Sequence, residues 1–580
     1  MADGPAADLR LLGRVRETLE QAVAQMDRLL ARGSTAEEVA RLGWRASGFY
    51  GWRDGRLLLG GRDSHPLLLD GIATALPALA ARLGEPDLAP VPGAVYLAND
   101  PAAGGTSLGD LLCVQPIAAG GLPRAWAGVA FHLPELCRDP WIGSDQPRHE
   151  GLVLPWLRAT AADGTLAPMV RTILGANAGD PDRVEEELAL ARRALALGAG
   201  AFARLATREG PEAVLASLEA MAGACRTALA RQVTHLAPGR ARGRVGDLEA
   251  VVEPDGPRLA ITLRPVNGQV RLPAGLARAA CRTAIRQAFG AEVPSLAVVG
   301  GWDADWTVRV DEPGARPPAS PGTLARFGTA QAIVDAVVSA LAQWTPHLGK
   351  APGPTGAFHL EIAGADASGA PFRCRLAVGS GLGASVWADG LSHASGLVDP
   401  SRTPVLEALE ARLPLSVGAF ALREGSGGPG QYRGGLGARL DLELREGAAR
   451  VRALIPERAS GLAGGRRGLD GRVTRISPRR DEACWDRPGL VLLDWEAGER
   501  LVAESPGGGG WGMGFRRSLM RLDADCAQGM VGADEARSQY GLILDPATGT
   551  RDEHLTYRVR SYLLGVLAVD DIAAGEELLD

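Results

Sequence analysis

The sequence predicts a mixed α+β fold, with an α/β N-terminal half and a Gly-rich, β-rich C-terminal half. Three observations predict it. Before residue 350, several stretches carry apolar residues at three- and four-residue steps, the period of an amphipathic helix. Short apolar runs with strand-like alternation lie between them. From 355 to 512 the chain is rich in glycine and in strand-like segments.

Residues 8–43 read as helical, because Leu11, Val15, Leu19, Val23, Met26 and Leu30 share one face. Asp54-Gly55-Arg56 suits a hairpin turn ahead of Leu57-Leu58-Leu59. Residues 93–117 read as strand, Gly-rich loop and strand, and Trp126 to His132 as a further strand. Residues 182–232 are strongly helical. Glu185-Glu186-Glu187 precede Arg192-Arg193, an order that suits the helix dipole. From about 245 the pattern turns to strands such as Leu259-Ala260-Ile261-Thr262-Leu263, and helices return at 275–289 and 328–343. The tail has a short helical piece around Ala533 to Arg537. These shifts divide the chain at 1–180, 181–240, 241–350, 351–514 and 515–580.

The chain has 580 residues, 46% of them hydrophobic, which is ample for a large core. A formal net charge of -6 and a pI near 5.9 give no basic bias, so no nucleic-acid partner is expected. Seven scattered cysteines without a C-x-x-C pair suit a reducing, cytoplasmic compartment. The start, Met1-Ala2-Asp3-Gly4, lacks the basic and apolar regions of a signal peptide. The best apolar run, Leu67 to Leu83, is interrupted by Asp70 and Pro77, so no membrane span is expected. Lys350 is the only lysine. In Gly349-Lys350-Ala351 the Ser/Thr of a phosphate-binding P-loop is missing, so this chain lacks that means of holding ATP.

The most informative segment runs from Asn99 to Asp110: Asn99-Asp100-Pro101-Ala102-Ala103-Gly104-Gly105-Thr106-Ser107-Leu108-Gly109-Asp110. Two acids and neighbouring hydroxyl side chains lie on a short loop between strands, where a rigid sheet positions function. A plain capped turn accounts for it equally well. Gly105-Thr106-Ser107-Leu108-Gly109 also matches the G-x-S-x-G of serine hydrolases. That motif needs a helix after the serine, and Leu111 to Ile117 read as a strand. A Cys137 nucleophile with His132 or His149 is a weaker alternative. The glycine runs read as tight turns in a β-rich region, or as a substrate lining. Gly507 to Gly510 is too uniform for a dinucleotide site.

This loop resembles the N-D-P-x-x-G-G-T-H-x-x-D loop of the hydantoinase B/oxoprolinase family. Further resemblances follow in order. They are His149-Glu150-Gly151-Leu152, Gln331-Ala332-Ile333-Val334-Asp335-Ala336, and Arg402-Thr403-Pro404 with Glu407. The strongest is Ser426-Gly427-Gly428-Pro429-Gly430-Gln431-Tyr432-Arg433-Gly434-Gly435-Leu436-Gly437. Ser460 to Gly465, Pro506 to Gly512 and Tyr540-Gly541 complete the series, which spans nearly the whole chain.

The resemblance implies one subunit of a hetero-oligomeric, ATP-dependent cyclic-amide hydrolase or ketone carboxylase. A hydantoinase A-type partner would carry ATP and Mg²⁺, and a second B-type subunit is compatible. Asn99, Asp100, Gly104, Gly105, Thr106 and Ser107 would line the substrate, and Asp110 and His132 would be catalytic. Active relatives would hold Zn²⁺ or Mn²⁺ on an acid from an R-D-F-S segment, the His and Asp of G-T-H-x-x-D, and a strand-end histidine. This chain departs from that set. No Asp or Glu occurs from Val39 to Arg53, Arg45 lies roughly at the acid's place, and Ser107 replaces the loop histidine. Asp110 is kept, and His132 falls at the strand end, where it reads equally as a hydrogen-bonded structural histidine. The positions Arg45, Ser107, Asp110 and His132 therefore read as a vestigial site with no metal, with Arg45 a candidate to pair with Asp110. Two readings follow: a catalytic subunit with an atypical or metal-free site, and a degenerate subunit with an assembly or supporting role, which is the reading adopted.

Overall fold

The apolar face expected over 8–43 folds as helix α1, Leu9–Gly33, followed by the short α2, Glu37–Ala40. The break between them is held from outside. The Glu187 carboxylate accepts hydrogen bonds from Ser34 Oγ at 2.8 Å, Thr35 N at 2.9 Å and Ala36 N at 3.2 Å. Those donors would otherwise be orphaned at the helix ends. The computed structural model describes residues 8–137, 150–266, 272–303, 306–311, 323–396, 398–399, 403–457, 459–479, 481–545 and 550–573. His149 and Arg402 lie outside them. The chain divides into two units, Met1–Ala340 and Leu341–Asp580.

In the first unit, β1 (Arg45–Gly51) turns through Gly55, at φ 66°, into β2 (Leu57–Gly60). Helix α3, Pro66–Ala80, forms from the apolar run that had read as interrupted. Pro77 sits in its last turn, and Asp70 is fixed by Arg286, so neither ends it. Strands β3 (Tyr96–Ala98), β4 (Asp110–Ala119), β5 (Leu122–His132) and β6 (Leu157–Arg158) complete a sheet of order β2-β1-β5-β4-β3-β6, antiparallel throughout.

Side chains alternate across this sheet. Tyr50, Leu112, Val114, Trp126 and Ala130 pack against Leu68, Leu69, Ile72 and Leu76 of α3. The opposite face meets α1 and a later helix, with Phe49 and Phe202 ring centroids 5.4 Å apart. The expected helix at 182–232 is two helices. After α4, Pro168–Asn177, come α5, Pro181–Glu209, and α6, Pro211–Thr234. They are split where Gly210 takes φ 87° ahead of Pro211.

Helix α6, and not the 67–83 run, is long and apolar enough to cross a membrane by length and composition. In the fold it packs on α1 and α5, burying Val214, Leu218, Met221 and Leu229. A second sheet follows, from β7 (Ala241–Val245), β8 (Leu248–Asp255), β9 (Arg258–Pro265) and β10 (Thr307–Val310), in the order β10-β9-β8-β7. Helix α7, Ala274–Phe289, packs on α3, and α8, Thr323–Trp344, begins in this unit and runs past Ala340.

The second unit is built on two antiparallel sheets. One joins Phe358–Ala365, Pro371–Val378, Ala448–Ile455 and Gly489–Glu496. The other joins Leu415–Leu422, Ala438–Leu444, Arg472–Ile476, Ala483–Trp485 and Arg500–Glu504. Phe358, Leu360, Leu440, Leu442, Val451, Trp495 and Leu501 belong to their common core. The whole is a mixed α+β fold.

Ala463, Gly464 and Gly512 take the left-handed turn conformation, at φ 53°, 87° and 69°, but the glycines of 426–437 and 507–510 do not. None of Gly507 to Gly510 has a positive φ. They lie in extended segments packed backbone to backbone, where a Cβ would strike the carbonyl oxygens of Ser426, Leu382, Ser460 and Pro429 in turn. Hydrogen bonds leave these segments toward several neighbours: Gly508 N to Gly435 O at 2.9 Å, Gly428 N to Gly508 O at 2.8 Å, and Gly510 N to Arg466 O at 2.8 Å. Close approach is the reason for glycine here.

Candidate functional site

The 99–110 loop leaves β3 and is pinned at once. Asn99 Nδ2 donates to Leu108 O at 2.7 Å and Leu152 O at 2.8 Å, and its Oδ1 accepts from Leu154 N at 2.7 Å. Asp100 caps the next turn, accepting from Ala102 N at 2.8 Å. Gly104 takes φ 102° against the backbone of Thr74 in α3, where any larger residue would collide. These residues shape and anchor the loop.

Beyond the turn the side chains converge. Thr106 Oγ donates to Asp110 Oδ2 at 2.5 Å. Ser107 is buried, and its Oγ accepts from Gly109 N at 3.2 Å. Strand β4 follows directly, so the strand–elbow–helix arrangement of a serine nucleophile does not form at Ser107. Register then brings the two candidate catalytic residues together. Asp110 opens β4, His132 ends β5, and the strands pair Asp110 with His132. His132 Nδ1 lies 2.9 Å from Asp110 Oδ1, and both side chains are at most 1% exposed. This shorter contact assigns the Nδ1 proton as donor to the carboxylate. Gly109 abuts the imidazole, where an added Cβ would lie 2.2 Å from its Cε1.

Arg45 is not in this cluster. It donates to Asp27 O at 3.3 Å and Val39 O at 2.8 Å. The reason is strand alternation: Arg45 and Ser47 point to the α1 face, where Ser47 Oγ donates to Asp27 Oδ1 at 2.7 Å. Burial raises that Asp27 carboxyl to about 6, against its hydrogen bonds from Ser47 and Ser64.

The residue that meets Asp110 is Arg326, from the first turn of α8. Its Nη1 forms an ion pair with Asp110 Oδ2, and its Nη2 lies 3.3 Å from His132 Nδ1. Arg326 is 1% exposed. Burial pushes its guanidinium down to about 9, so it is charged at neutral pH. Around it stand aromatic rings. Trp44 meets His132 edge-on with centroids 5.1 Å apart, Phe327 lies 4.8 Å from Trp44, and the Arg326 guanidinium lies 4.6 Å from the Phe327 centroid. Sequence reasoning missed Arg326, which is 216 residues from Asp110 and sits just before the Gln331–Ala336 motif.

This donor set does not fit a divalent metal centre. Such a centre normally takes three protein ligands. Here one carboxylate and one imidazole face a guanidinium, and the loop hydroxyls of Thr106 and Ser107 are already hydrogen-bonded. Among the described residues, no three His, Cys, Asp or Glu side chains gather as a metal would require.

Comparison with known proteins follows the same outline. A sequence model of the Hydantoinase B/oxoprolinase family matches residues 11–514. The caprolactamase subunit beta of Pseudomonas jessenii is 35% identical over 161 residues, 27% of this chain. The matched stretch spans 28% of that relative's length. The crystal structure of ATP-dependent caprolactamase from Pseudomonas jessenii superposes with a TM-score of 0.79 at 22% identity, covering 96% of this chain and 100% of that one. A nucleotide-free acetone carboxylase, studied for ATP-dependent acetone carboxylation, gives a TM-score of 0.79 at 16% identity, over 98% of this chain and 84% of that one. At such identities the two structures speak for the fold. With the family pattern running through both units, the chain belongs to the Hydantoinase B/oxoprolinase family.

Proposed function

We propose that this chain is the B-type subunit of a cytoplasmic ATP-dependent complex that hydrolyses a cyclic amide or carboxylates a ketone, and that its own role there is assembly or support. The relatives support the first part: one is a named beta subunit, and both structural neighbours are ATP-dependent enzymes. The partner is a hydantoinase A-type subunit holding ATP and Mg²⁺, with room in the scheme for a second B-type subunit with a full ligand set. The observation that carries the supporting role is the buried Asp110–Arg326 ion pair, which engages the carboxylate that a reaction would use.

The test compares purified complexes. With the variant Asp110→Asn/Arg326→Met, which removes both buried charges together, the assembled complex keeps turnover within about twofold. Omitting the chain lowers the yield of complex. A second reading has one observation in its favour, the 2.9 Å contact between Asp110 and His132. That pair resembles a carboxylate–imidazole acid–base dyad. A fall in kcat of about a hundredfold or more in the double variant, with assembly intact, would establish that reading instead.

A further inference from the structure

We propose that Arg326 is a built-in cation that stands in for a divalent metal and keeps metal off Asp110 and His132. This rests on the family reading, because the family implies a metal at this loop and strand end. The geometry comes from this chain alone. Asp110 and His132 present one carboxylate and one imidazole 2.9 Å apart, at most 1% exposed, at the buried end of two paired strands. A buried carboxylate there needs a counter-charge. The guanidinium supplies it, in contact with Asp110 and 3.3 Å from the histidine nitrogen.

Two further features close the place. Trp44 stands edge-on to the imidazole and Phe327 packs on Trp44, so this side of the cluster is lined by apolar rings and not by further ligands. Ser107 lies on the same loop as Asp110 and keeps its proton at neutral pH, so it adds no ligand charge. A guanidinium stays charged at neutral pH and can match a carboxylate with its planar fork. It also repels a dication directly. The cluster thus retains the fastening role of a metal centre, joining the 99–110 loop, the end of β5 and the start of α8, without the ligand set that a metal needs.

The experiment uses the full chain and Zn²⁺, Mn²⁺ or Co²⁺ as probe. Wild type shows no change in melting temperature with any of the three. Arg326→Met melts lower than wild type and is raised by added metal. Arg326→Met/Ser107→His, which adds an imidazole, binds Co²⁺ with a visible absorption band and at least about a hundredfold tighter than wild type. Ser107→His alone, with the arginine present, does not bind. Near-stoichiometric metal on wild type would overturn the proposal, as would metal binding by Ser107→His equal to that of the double variant. If Arg326→Met does not fold, Asp110→Asn/Arg326→Met decides the matter. It folds if the arginine is the carboxylate's counter-ion, and its failure to fold is refuting. None of these readouts depends on turnover, so a catalytic role in the complex would sink the supporting reading and leave this proposal to stand or fall by itself.

Discussion

Gly508→Ala puts the packing of the second unit to the test. A Cβ at Gly508 would lie 2.0 Å from the Leu382 carbonyl oxygen, 2.3 Å from its carbon and 2.8 Å from Gly383 N. All three are backbone atoms, so no side chain can swing aside. An ordinary carbon–oxygen contact needs more than 3 Å, and one segment must therefore move by roughly 1 Å. Such a shift strains the hydrogen bonds from Gly508 N to Gly435 O and from Gly428 N to Gly508 O. Overpacking costs about 1–3 kcal/mol and each lost backbone bond about 1 kcal/mol, for a total of about 3–5 kcal/mol. Gly13→Ala is the matched control. Gly13 lies exposed inside α1 with nothing within 4 Å of the added carbon. There alanine stabilises by about 0.5–1 kcal/mol through helix propensity and a less flexible unfolded chain. Urea unfolding of the full chain, followed by circular dichroism, reads both. A loss under about 1 kcal/mol for Gly508→Ala would refute the backbone-contact account, whatever happens at Gly13.

Three more outcomes follow from the structure. Arg326→Met leaves Asp110 buried with only Thr106 and His132 as partners, and should cost about 3–5 kcal/mol in denaturant unfolding, much of it recovered in Asp110→Asn/Arg326→Met; an unchanged midpoint would count against the ion pair. Glu187→Ala removes the acceptor for Thr35 N and Ala36 N, so the α1–α2 break loses about 2–4 kcal/mol, and amide exchange at those two residues should accelerate before the rest of α1. Burial raises the Glu535 carboxyl to about 7. The folded chain therefore holds a proton there that the unfolded chain has already released, so stability falls as pH rises from about 4.5 to about 7. Glu535→Gln should flatten that part of the stability profile by about 2 kcal/mol, and a profile parallel to wild type would contradict the burial of a carboxylate there.

Local pattern determined much of this protein. The apolar spacing from Leu11 to Leu30 placed α1, and the short apolar runs Leu111 to Ile117 and Trp126 to His132 placed β4 and β5, because burial of a single element leaves its mark on neighbouring residues. The strand–loop–strand order also permitted Asp110 and His132 to meet, and antiparallel pairing made them partners. Other features have no local trace. Helix α3 is buried on nearly every side, so it lacks the polar face that makes a helix legible. The breaks in the helical stretches are set by a carboxylate reaching in from α5 and by one glycine before a proline. The glycines at 507–510 look like turn residues in sequence, yet what demands them is the approach of three other segments. Arg45 had the right place along the chain and the wrong face of its strand, whereas Arg326 has no motif and the right position in space. An ion pair across 216 residues is chosen by which surfaces fold together, and only the tertiary structure decides that.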